Sequence, residues 1–434
     1  MIRKLILVIL ISSLTVACSL DTKSGLWNSN EKFKKETIKN KKTRLLFQDE
    51  EIIENEFNKN FQIKTPLKKV FINNTQNTNN ENIFTVKNNL SKISKFKFSK
   101  INYFDFFEPN LVFEKKNLIF FDKKGAITKY DNNLKIIWKK NYYEKKEKKL
   151  LPILNFSSNK KTLLVSDSLS NYYALDIKTG ELKWKKNHNF LFISDIKIDD
   201  EFFFVVDTSN TINCFSLIDG KKIWTFSTDD VLIKSQKKLS IVIDNRNVYF
   251  HNSKGDTYSL NKKNGNLNWL TLTNNKNVQP FLIKNSSLVL DKNNIYFSNN
   301  INKFFSIDKN NGFITWEQKI NSDLKPIIVG ELIFTISKEG YFYVIDKFSG
   351  NIIRITYIFE NFSKRKRKNI SPIGFILTDK NVFLSLNNGK ILEIDITSGK
   401  HIATIKIDRG KISKPFINNG EIFVIKDNSI TRLN

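Results

Sequence analysis

"NYYALDIKTGELKW", residues 171–184, contains two short runs that are rich in apolar residues or alternate apolar with polar ones. A turn at Gly180 separates the runs, and the second run ends in Trp184. This pattern predicts two β-strands joined by a tight turn. Variants of the stretch recur along the chain. Three more copies keep Trp four residues after Gly, at Gly220 and Trp224, Gly265 and Trp269, and Gly312 and Trp316.

The remaining copies are degenerate. An earlier copy has Asn133 near the glycine place and ends in Trp138, and two later copies have Gly350 with Arg354 and Gly399 with Ala403. Successive turn glycines lie between 38 and 49 residues apart. A strand–turn–strand repeat of this period is typical of a β-propeller blade.

Each unit also has an upstream half, as in "NVYFHNSKGDTYSL" at 247–260, which gives four strands per unit, A to D from the centre outward. Seven units carry all four strands, whereas the C-terminal unit supplies only A, B and C. The alternating segment "ISKFKFSKI" at 93–101 is predicted to provide the missing outer strand. We therefore expect an all-β fold over residues 83–434, an eight-bladed β-propeller of four-stranded blades closed by an N-terminal strand.

The N-terminus resembles a bacterial lipoprotein signal, with Arg3 and Lys4, a short apolar run and "LTVAC" ending at Cys18. Residues 1–17 are predicted to be the signal peptide and Cys18 the lipidated first residue of the mature chain. Ser19, rather than Asp, after the cysteine favours the outer membrane. The alternative is an ordinary signal peptide with a chance cysteine. Residues 18–82 are polar, are expected to form a tether, and favour one short helix at 44–57.

The formal net charge is +28. This charge fits either an anionic partner or a Lys-rich composition without a binding role, and its even spread along the chain favours the second interpretation. An exported protein meets no nucleic acid. Cys214 is the only cysteine besides Cys18, so we expect a small buried residue rather than a redox pair.

The repeats resemble the pyrroloquinoline-quinone-type propeller repeat over roughly 105–434. Together with the lipobox, the eighth-blade closure and the C-terminal "NSITRLN", they resemble the BamB family of outer-membrane assembly lipoproteins. The resemblance implies a non-catalytic scaffold without a cofactor, anchored in the outer membrane and facing the periplasm. Its implied partners are BamA and nascent outer-membrane proteins. The alternatives are a scaffold of another envelope complex and a quinone-dependent oxidoreductase.

The resemblance also implies a partner surface. The contact loop for BamA corresponds to "DDVLIKSQ" at 229–236, in which Val231, Ile233 and Lys234 match an apolar, apolar, basic pattern. The next crossing between blades has Asn275 and Asn277 where the family has two aspartates. Amides keep hydrogen bonding at those places but lose charge pairing.

Residues that could support catalysis are few. The five tryptophans at equivalent places could stack on a cofactor, but five copies at one offset favour packing between blades: Trp138, Trp184, Trp224, Trp269 and Trp316. The histidines have no metal-ligand spacing, and the repeated acids before the glycine turns (Asp176, Asp308, Asp346 and Asp395) are typical turn formers. We therefore predict that the protein is not an enzyme.

Two crossings between blades are strongly basic, at 139–150 and at 364–368. The second consists of Lys364, Arg365, Lys366, Arg367 and Lys368. They are candidates for a cationic patch that binds lipid headgroups or an acidic protein surface, and the alternative is a pair of solvated loops.

Overall fold

Eight four-stranded antiparallel sheets arranged in a ring make up the fold. The computed structural model describes residues 78–79, 90–229, 235, 237–273 and 283–433. The predicted signal peptide, Cys18 and most of the predicted tether lie outside these residues. The predicted eight-bladed β-propeller, with four strands per blade, is confirmed.

Within each blade the strands follow chain order from the axis outward. Blade 1 consists of β2 to β5 (Val112–Glu114, Asn117–Phe121, Ile127–Tyr130 and Ile136–Lys140), and blade 2 of β6 to β9 (Leu154–Ser158, Thr162–Asp167, Asn171–Asp176 and Leu182–Asn187). Blade 3 consists of β10 to β13 (Lys197–Asp199, Phe202–Val206, Thr211–Ser216 and Lys222–Ser227), and blade 4 of β14 to β17 (Ile241–Ile243, Asn247–His251, Thr257–Asn261 and Leu267–Thr271). Blade 5 consists of β18 to β21 (Val289–Leu290, Asn294–Asn299, Lys303–Asp308 and Ile314–Gln318). Blade 6 consists of β22 to β25 (Ile327–Val329, Leu332–Ile336, Tyr341–Asp346 and Ile352–Tyr357), and blade 7 of β26 to β29 (Pro372–Leu377, Asn381–Leu386, Lys390–Asp395 and His401–Lys406).

Blade 8 combines the last three strands of the chain with a strand that precedes blade 1. It consists of β30 to β32 (Phe416–Asn418, Glu421–Lys426 and Ser429–Leu433), with β1 (Lys92–Lys97) as its outer strand. Phe96 of β1 pairs with Ile430 and is buried. The predicted closure by the N-terminal segment is therefore confirmed. β1 pairs with the outer edge of β32, which would otherwise be unpaired.

The ring is also closed between blades 8 and 1. The rings of Phe113 and Phe423 lie 5.0 Å apart between centroids. The Asn418 amide donates a hydrogen bond to the carbonyl of Lys115 at 2.9 Å. Side chains of blades 8, 1 and 2 share one apolar cluster, so blade 1 is packed on both faces.

Burial explains the sequence pattern of each blade. Strands B and C are covered by the neighbouring blades on both faces, so β7 is buried throughout and β8 almost throughout. The outer strand β9 has one covered side and remains partly exposed. Nearly continuous apolar runs therefore mark the inner strands, and Lys-rich runs mark the outer ones.

The repeated Trp and Gly form the joint between blades. The indole NH of Trp184 donates to the Leu217 carbonyl of blade 3 at 3.0 Å. Gly220 of blade 3 has φ +67°, and a Cβ there would lie 2.6 Å from the Trp184 ring. The indole thus lies against a backbone surface that only glycine leaves open. The same Trp and Gly contact recurs at four further joints, between Trp138 and Gly180, Trp224 and Gly265, Trp269 and Gly312, and Trp316 and Gly350.

A backbone bulge orients these indoles. In blade 2, Ala174 pairs with Trp184 but Leu175 pairs with Leu182, so Lys183 is an extra residue in the outer strand. A bulge bends its strand and redirects the neighbouring side chain. Corresponding register shifts occur between strands C and D of blades 1 and 3 to 7.

The first copy of the repeat differs from its expected alignment. Leu134, not Asn133, adopts the left-handed conformation, with φ +69°, four residues before Trp138. The preceding blade in the ring is blade 8, whose outer strand β1 has the sequence KISKFK and no Trp. A side chain at the glycine place is tolerated there because no indole of β1 packs against it.

The helices that the structure describes are short. Besides a 3-10 turn at Phe104–Phe106, they are α1 (Lys145–Lys149), between blades 1 and 2, and α2 (Lys364–Arg367), between blades 6 and 7. Within the described ranges, no helix has the length and apolar character needed to cross a membrane.

Candidate functional site

One face of the ring carries the B–C turns and the D-to-A crossings, and we call it the crossing face. The opposite face carries the A–B and C–D turns, and we call it the turn face. The B–C turns are built alike, since the Asp167 carboxylate accepts backbone NH bonds from Leu169 and Asn171 at 2.8 and 2.9 Å. Asp122, Asp207, Asn252 and Asn299 occupy the same place in their blades. These repeated polar residues fix turns.

The C–D turns of the turn face have the same construction. The Asp176 carboxylate accepts the backbone NH groups of Lys178 and Thr179 at 2.8 and 3.0 Å. The hydrogen bond from Thr179 is the main reason why the pKa of Asp176 is lowered. Asp308, Asp346 and Asp395 accept equivalent bonds. The turns at Asp176, Asp308 and Asp346 place a glycine under the preceding indole, whereas the glycine after Asp395, Gly399, lies against Thr356.

The predicted partner residues (Val231, Ile233, Lys234, Asn275 and Asn277) lie outside the described residues. The anchors on either side of them are described. Asp229 forms a 2.6 Å ion pair with Lys254, and its carbonyl accepts a hydrogen bond from Asn210 at 3.1 Å. Asn210 in turn accepts the backbone NH of Ser253 at 3.0 Å. The crossing that contains 229–236 therefore begins against the B–C turn of blade 4.

The next crossing is anchored to the same turn at both ends. Thr273 donates its hydroxyl to the carbonyl of Gly255 at 2.6 Å, and the Asn285 amide donates to the same carbonyl at 3.0 Å. The buried Ile283 side chain also lies against Gly255. Both segments that carry predicted partner residues thus start from one small area of the crossing face, the turn at residues 252–256.

The two basic crossings share the crossing face but not one patch. Blades follow chain order around the ring, so α1 and α2 are separated by three blades the short way. Within α2, Arg367 donates to the carbonyl of Phe362 at 2.7 Å and lies over the Tyr357 ring, so its guanidinium serves the local fold. The other four side chains of the predicted patch, Lys364, Arg365, Lys366 and Lys368, are exposed.

A cavity of about 450 Å³ opens at the centre of the crossing face. Its walls come from six crossings and from the segment before blade 1, which places it on the ring axis. Lys237, Lys238, Lys284 and Lys411 contribute positive charge to the walls, and Asp105, Glu108, Asp167 and Asp323 contribute negative charge. Lys237 lies 3.6 Å from Asp323, and Lys411 donates to the carbonyl of Asp105 at 2.6 Å. Charges at the mouth are therefore balanced.

Below the mouth the balance changes. We call Lys197, Lys238, Lys325 and Lys414 the axial lysines; Lys197 lies in strand A of blade 3, and the other three lie in the crossings into blades 4, 6 and 8. Asp195 forms a 3.0 Å ion pair with Lys238. Burial raises the pKa of Asp195, but Lys238 and Lys197, followed by Lys414, outweigh this effect and lower it to about 2.

Lys197 shows the effect of burial and of the other axial lysines most directly. Only 7% of this residue is exposed. Burial lowers its pKa to about 8; Asp195 opposes this shift, and Lys325, with Lys238 and Lys414, adds to it. Lysines in the crossings into blades 6 and 8 thus affect a residue of blade 3.

The histidines do not form a catalytic arrangement. His188 lies 3.1 Å from Asp207, whose other bonds come from Ser209 and the amide of Asn213. The serine hydroxyl thus bonds to the carboxylate rather than to the imidazole that would activate it. His251 is buried against Thr257, and burial lowers its pKa to about 3, which leaves the ring neutral.

The residues also do not fit a quinone and its calcium ion at the places the sequence suggested. The five tryptophans lie at the blade joints, away from the axis. In the part of the chain that the structure describes, no group of three or more His, Cys, Asp or Glu side chains could hold a metal ion.

Comparison with known families fits this architecture. The family model described as outer membrane protein assembly factor BamB matches residues 123–356, more than half of the chain. The chain belongs to the BamB family. No curated relative matches the sequence.

Solved structures show the same fold at low identity. BamB from Moraxella catarrhalis has 13% identity and a TM-score of 0.65, with 80% of this chain and 100% of that chain covered. The computationally designed Ika8 protein has 11% identity and a TM-score of 0.59, with 77% and 98% covered. Quinohemoprotein alcohol dehydrogenase from Comamonas testosteroni has 11% identity and a TM-score of 0.56, with 79% and 76% covered. A BamB, a designed protein and a redox enzyme thus share the fold, so the fold does not decide the activity.

Sequence reasoning missed the axial lysines. They are dispersed over more than 200 residues, and none belongs to a local motif. The available signal was their position, because each lies at the start of a strand A or within three residues before it. A Lys recurring at that place predicts positive charge on the axis once the ring closes.

Proposed function

We propose that this protein is a non-catalytic scaffold of outer-membrane β-barrel assembly, which docks on BamA through the crossings at 229–236 and 270–280. It belongs to the BamB family, whose model is described as an outer membrane protein assembly factor. Its role is binding: a rigid ring presents loops to a partner and, in this proposal, to nascent outer-membrane proteins.

The observation that carries the proposal is the common anchoring of the two crossings. Asp229 and Thr273, which precede the two partner segments, both contact the B–C turn of blade 4, at Lys254 and Gly255. Two segments that start from one turn suit a single partner better than two segments that start far apart would.

The lipid anchor is part of the proposal. Acylation of Cys18 would hold the protein on the outer membrane, facing the periplasm, and the polar residues 18–82 would let the ring reach its partner. Mass spectrometry of the N-terminal peptide tests this: we expect diacylglycerol and an acyl chain on Cys18. We expect Cys18→Ser to appear in the soluble fraction. An unmodified mature N-terminus at another residue would contradict the anchor.

Co-purification from mildly solubilised envelopes tests the docking. We expect the tagged protein to retain BamA and Ile233→Glu to lose at least tenfold of it, because a charge in an apolar contact is costly to desolvate. The matched control is Ile218→Glu, since Ile218 is 76% exposed on the turn face of blade 3. Absence of BamA with the unmodified protein, or equal loss in both variants, would refute the proposal. A different retained envelope protein would favour a scaffold of another complex.

The second candidate, a quinone-dependent oxidoreductase, rests on the fold shared with the quinohemoprotein alcohol dehydrogenase. Titration of the purified protein with pyrroloquinoline quinone and calcium tests it by absorbance and calorimetry. We expect no calcium-dependent binding and no dye reduction with alcohols. Stoichiometric, calcium-dependent binding would favour the oxidoreductase over the scaffold.

A further inference from the structure

Two residues of the N-terminal segment, Thr78 and Asn79, lie against the inner strands of the ring. Thr78 lines a groove of the turn face together with Asp199, at the end of strand A of blade 3, and Arg246, in the A–B turn of blade 4. Asn79 bonds to residues at the other end of the strands A, where these strands begin. The segment therefore enters the axis of the ring from the turn face.

The side-chain amide of Asn79 connects three blades. Its oxygen accepts a hydrogen bond from Lys197, the first residue of strand A in blade 3. Its nitrogen donates to the Leu288 carbonyl at 2.9 Å and to the Ser240 hydroxyl at 3.3 Å, and these two residues directly precede strand A of blades 5 and 4. All three partners are buried. A carboxylate has no donor and an apolar side chain has neither donor nor acceptor, so these partners select an amide.

The side chains around the axis explain why the segment lies against these blades. By strand register, Ser240 of blade 4 corresponds to Ser287 of blade 5. The same place is held by Lys325 in blade 6 and by Lys414 in blade 8. A serine leaves space for the amide of Asn79 that a lysine side chain would fill. The backbone of Asn79 has φ +56°, in the left-handed region that Asn adopts more readily than most residues.

These contacts change the point at which the N-terminal segment leaves the ring. Without them, the segment would be fixed only at β1, which begins at Lys92 on the outer edge of blade 8. Blade 8 lies opposite blade 4 in a ring of eight blades. Asn79 thus moves the last fixed point from the rim of the ring to its axis.

We propose that Thr78 and Asn79 form a plug in the axis of the ring, so that the N-terminal tether leaves from the centre of the turn face. A lipid anchor at Cys18 would then hold the ring by its turn face and leave the crossing face open to a partner. This orientation rests on the proposed function, whereas the plug itself does not.

Thiol cross-linking of the purified chain tests the plug. Thr78→Cys is combined with Arg246→Cys or, as the matched control, with Lys380→Cys, which holds the same place in the A–B turn of blade 7 and is likewise exposed. Cys18→Ser removes the lipid anchor, and Cys214 is buried. We expect a short bis-maleimide to link the first pair at least fivefold more than the control pair, measured by mass spectrometry of the digested chain.

Variants of Asn79 test whether its amide holds the plug. In the first cross-linking pair, Asn79→Gly permits the same backbone φ but removes the amide, so the yield should fall to that of the control pair. Asn79→Asp keeps the acceptor for Lys197 but loses both donors and should lower the yield at least twofold. The matched control Asn58→Gly removes another amide of the tether and should leave the yield unchanged. Circular dichroism shows whether each variant keeps the β-fold.

Equal yields for the two cross-linking pairs would overturn the plug. An undiminished yield with Asn79→Gly, or an equal loss with Asn58→Gly, would do the same. The measurements involve neither BamA nor the lipid anchor, so failure of the plug and failure of the docking proposal are distinguishable.

Discussion

The contact between Trp269 and Gly312 gives a quantitative test of how the blades are joined. Gly312 has φ +78°, and a Cβ there would lie 2.7 Å from the indole of Trp269. Gly410, in the crossing before blade 8, has nearly the same φ of +82°, but a Cβ there would meet no atom within 4 Å. Replacing each glycine by Ala therefore separates the backbone cost from the packing cost.

Ala in the left-handed region costs about 1–2 kcal/mol relative to glycine. Lower entropy of the unfolded chain offsets this by roughly 0.5 kcal/mol. Gly410→Ala should thus destabilise by about 1 kcal/mol. Gly312→Ala adds an overlap with a ring held by a 2.9 Å bond from its NH to the Lys309 carbonyl, and overpacking of this kind costs about 1–3 kcal/mol. We expect about 2–4 kcal/mol in total at Gly312.

Thermal unfolding followed by circular dichroism measures the difference. At about 2 °C per kcal/mol for a chain of this size, Gly312→Ala should melt roughly 2–6 °C below Gly410→Ala. In a Trp269→Ala background, Gly312→Ala should cost less than it does with the ring present, because only the Thr271 hydroxyl oxygen, 2.9 Å from the added Cβ, still overlaps. Equal melting temperatures for the two single variants, or an undiminished cost in the Trp269→Ala background, would refute the joint as described.

Three further outcomes are expected. Burial lowers the pKa of Lys197 from 10.5 to about 8, so Lys197→Met should stabilise the fold by up to roughly 3 kcal/mol at pH 7. Urea titrations should show that this gain shrinks between pH 8 and 10.5, where the folded state has lost the charge and the unfolded state has not; a gain independent of pH would contradict it. Phe96→Asp should open blade 8 and cause self-association by light scattering, whereas Lys97→Asp, on the exposed side of the same strand, should not. Burial raises the pKa of the Cys214 thiol to about 12, so a thiol reagent at pH 8 should label it only after unfolding, and rapid labelling of the folded chain would show that the strand opens.

The repeated residues were sufficient to predict the ring. Gly180 and Trp184 recur with a fixed offset, and the incomplete last unit required a strand from elsewhere in the chain. Closure by β1 followed from these two facts and from the alternation in "ISKFKFSKI". These features are local or periodic, so a single sequence displays them.

The features that sequence did not predict depend on closure. Lys197 and Lys414 are far apart in sequence and act on each other only because eight blades bring strand A of each to one axis. Likewise, Asp229 and Thr273 converge because both contact a turn of the blade between them. Arg367 was assigned to a basic patch from composition, yet its guanidinium bonds the loop that contains it. A charge count cannot separate a solvated cation from one that is bound locally.

The axis of the ring and the proposed docking surface are adjacent, so few single substitutions affect only one of them. Lys237 and Lys238 line the cavity and follow directly after the segment 229–236, so a change at either of them disturbs both places. Lys414 reaches the axis from the crossing into blade 8 and has no part in that segment. Lys414→Gln should therefore retain BamA, whereas Ile233→Glu should lose it. Loss of BamA from Lys414→Gln as well would show that the docking surface extends to the axis of the ring.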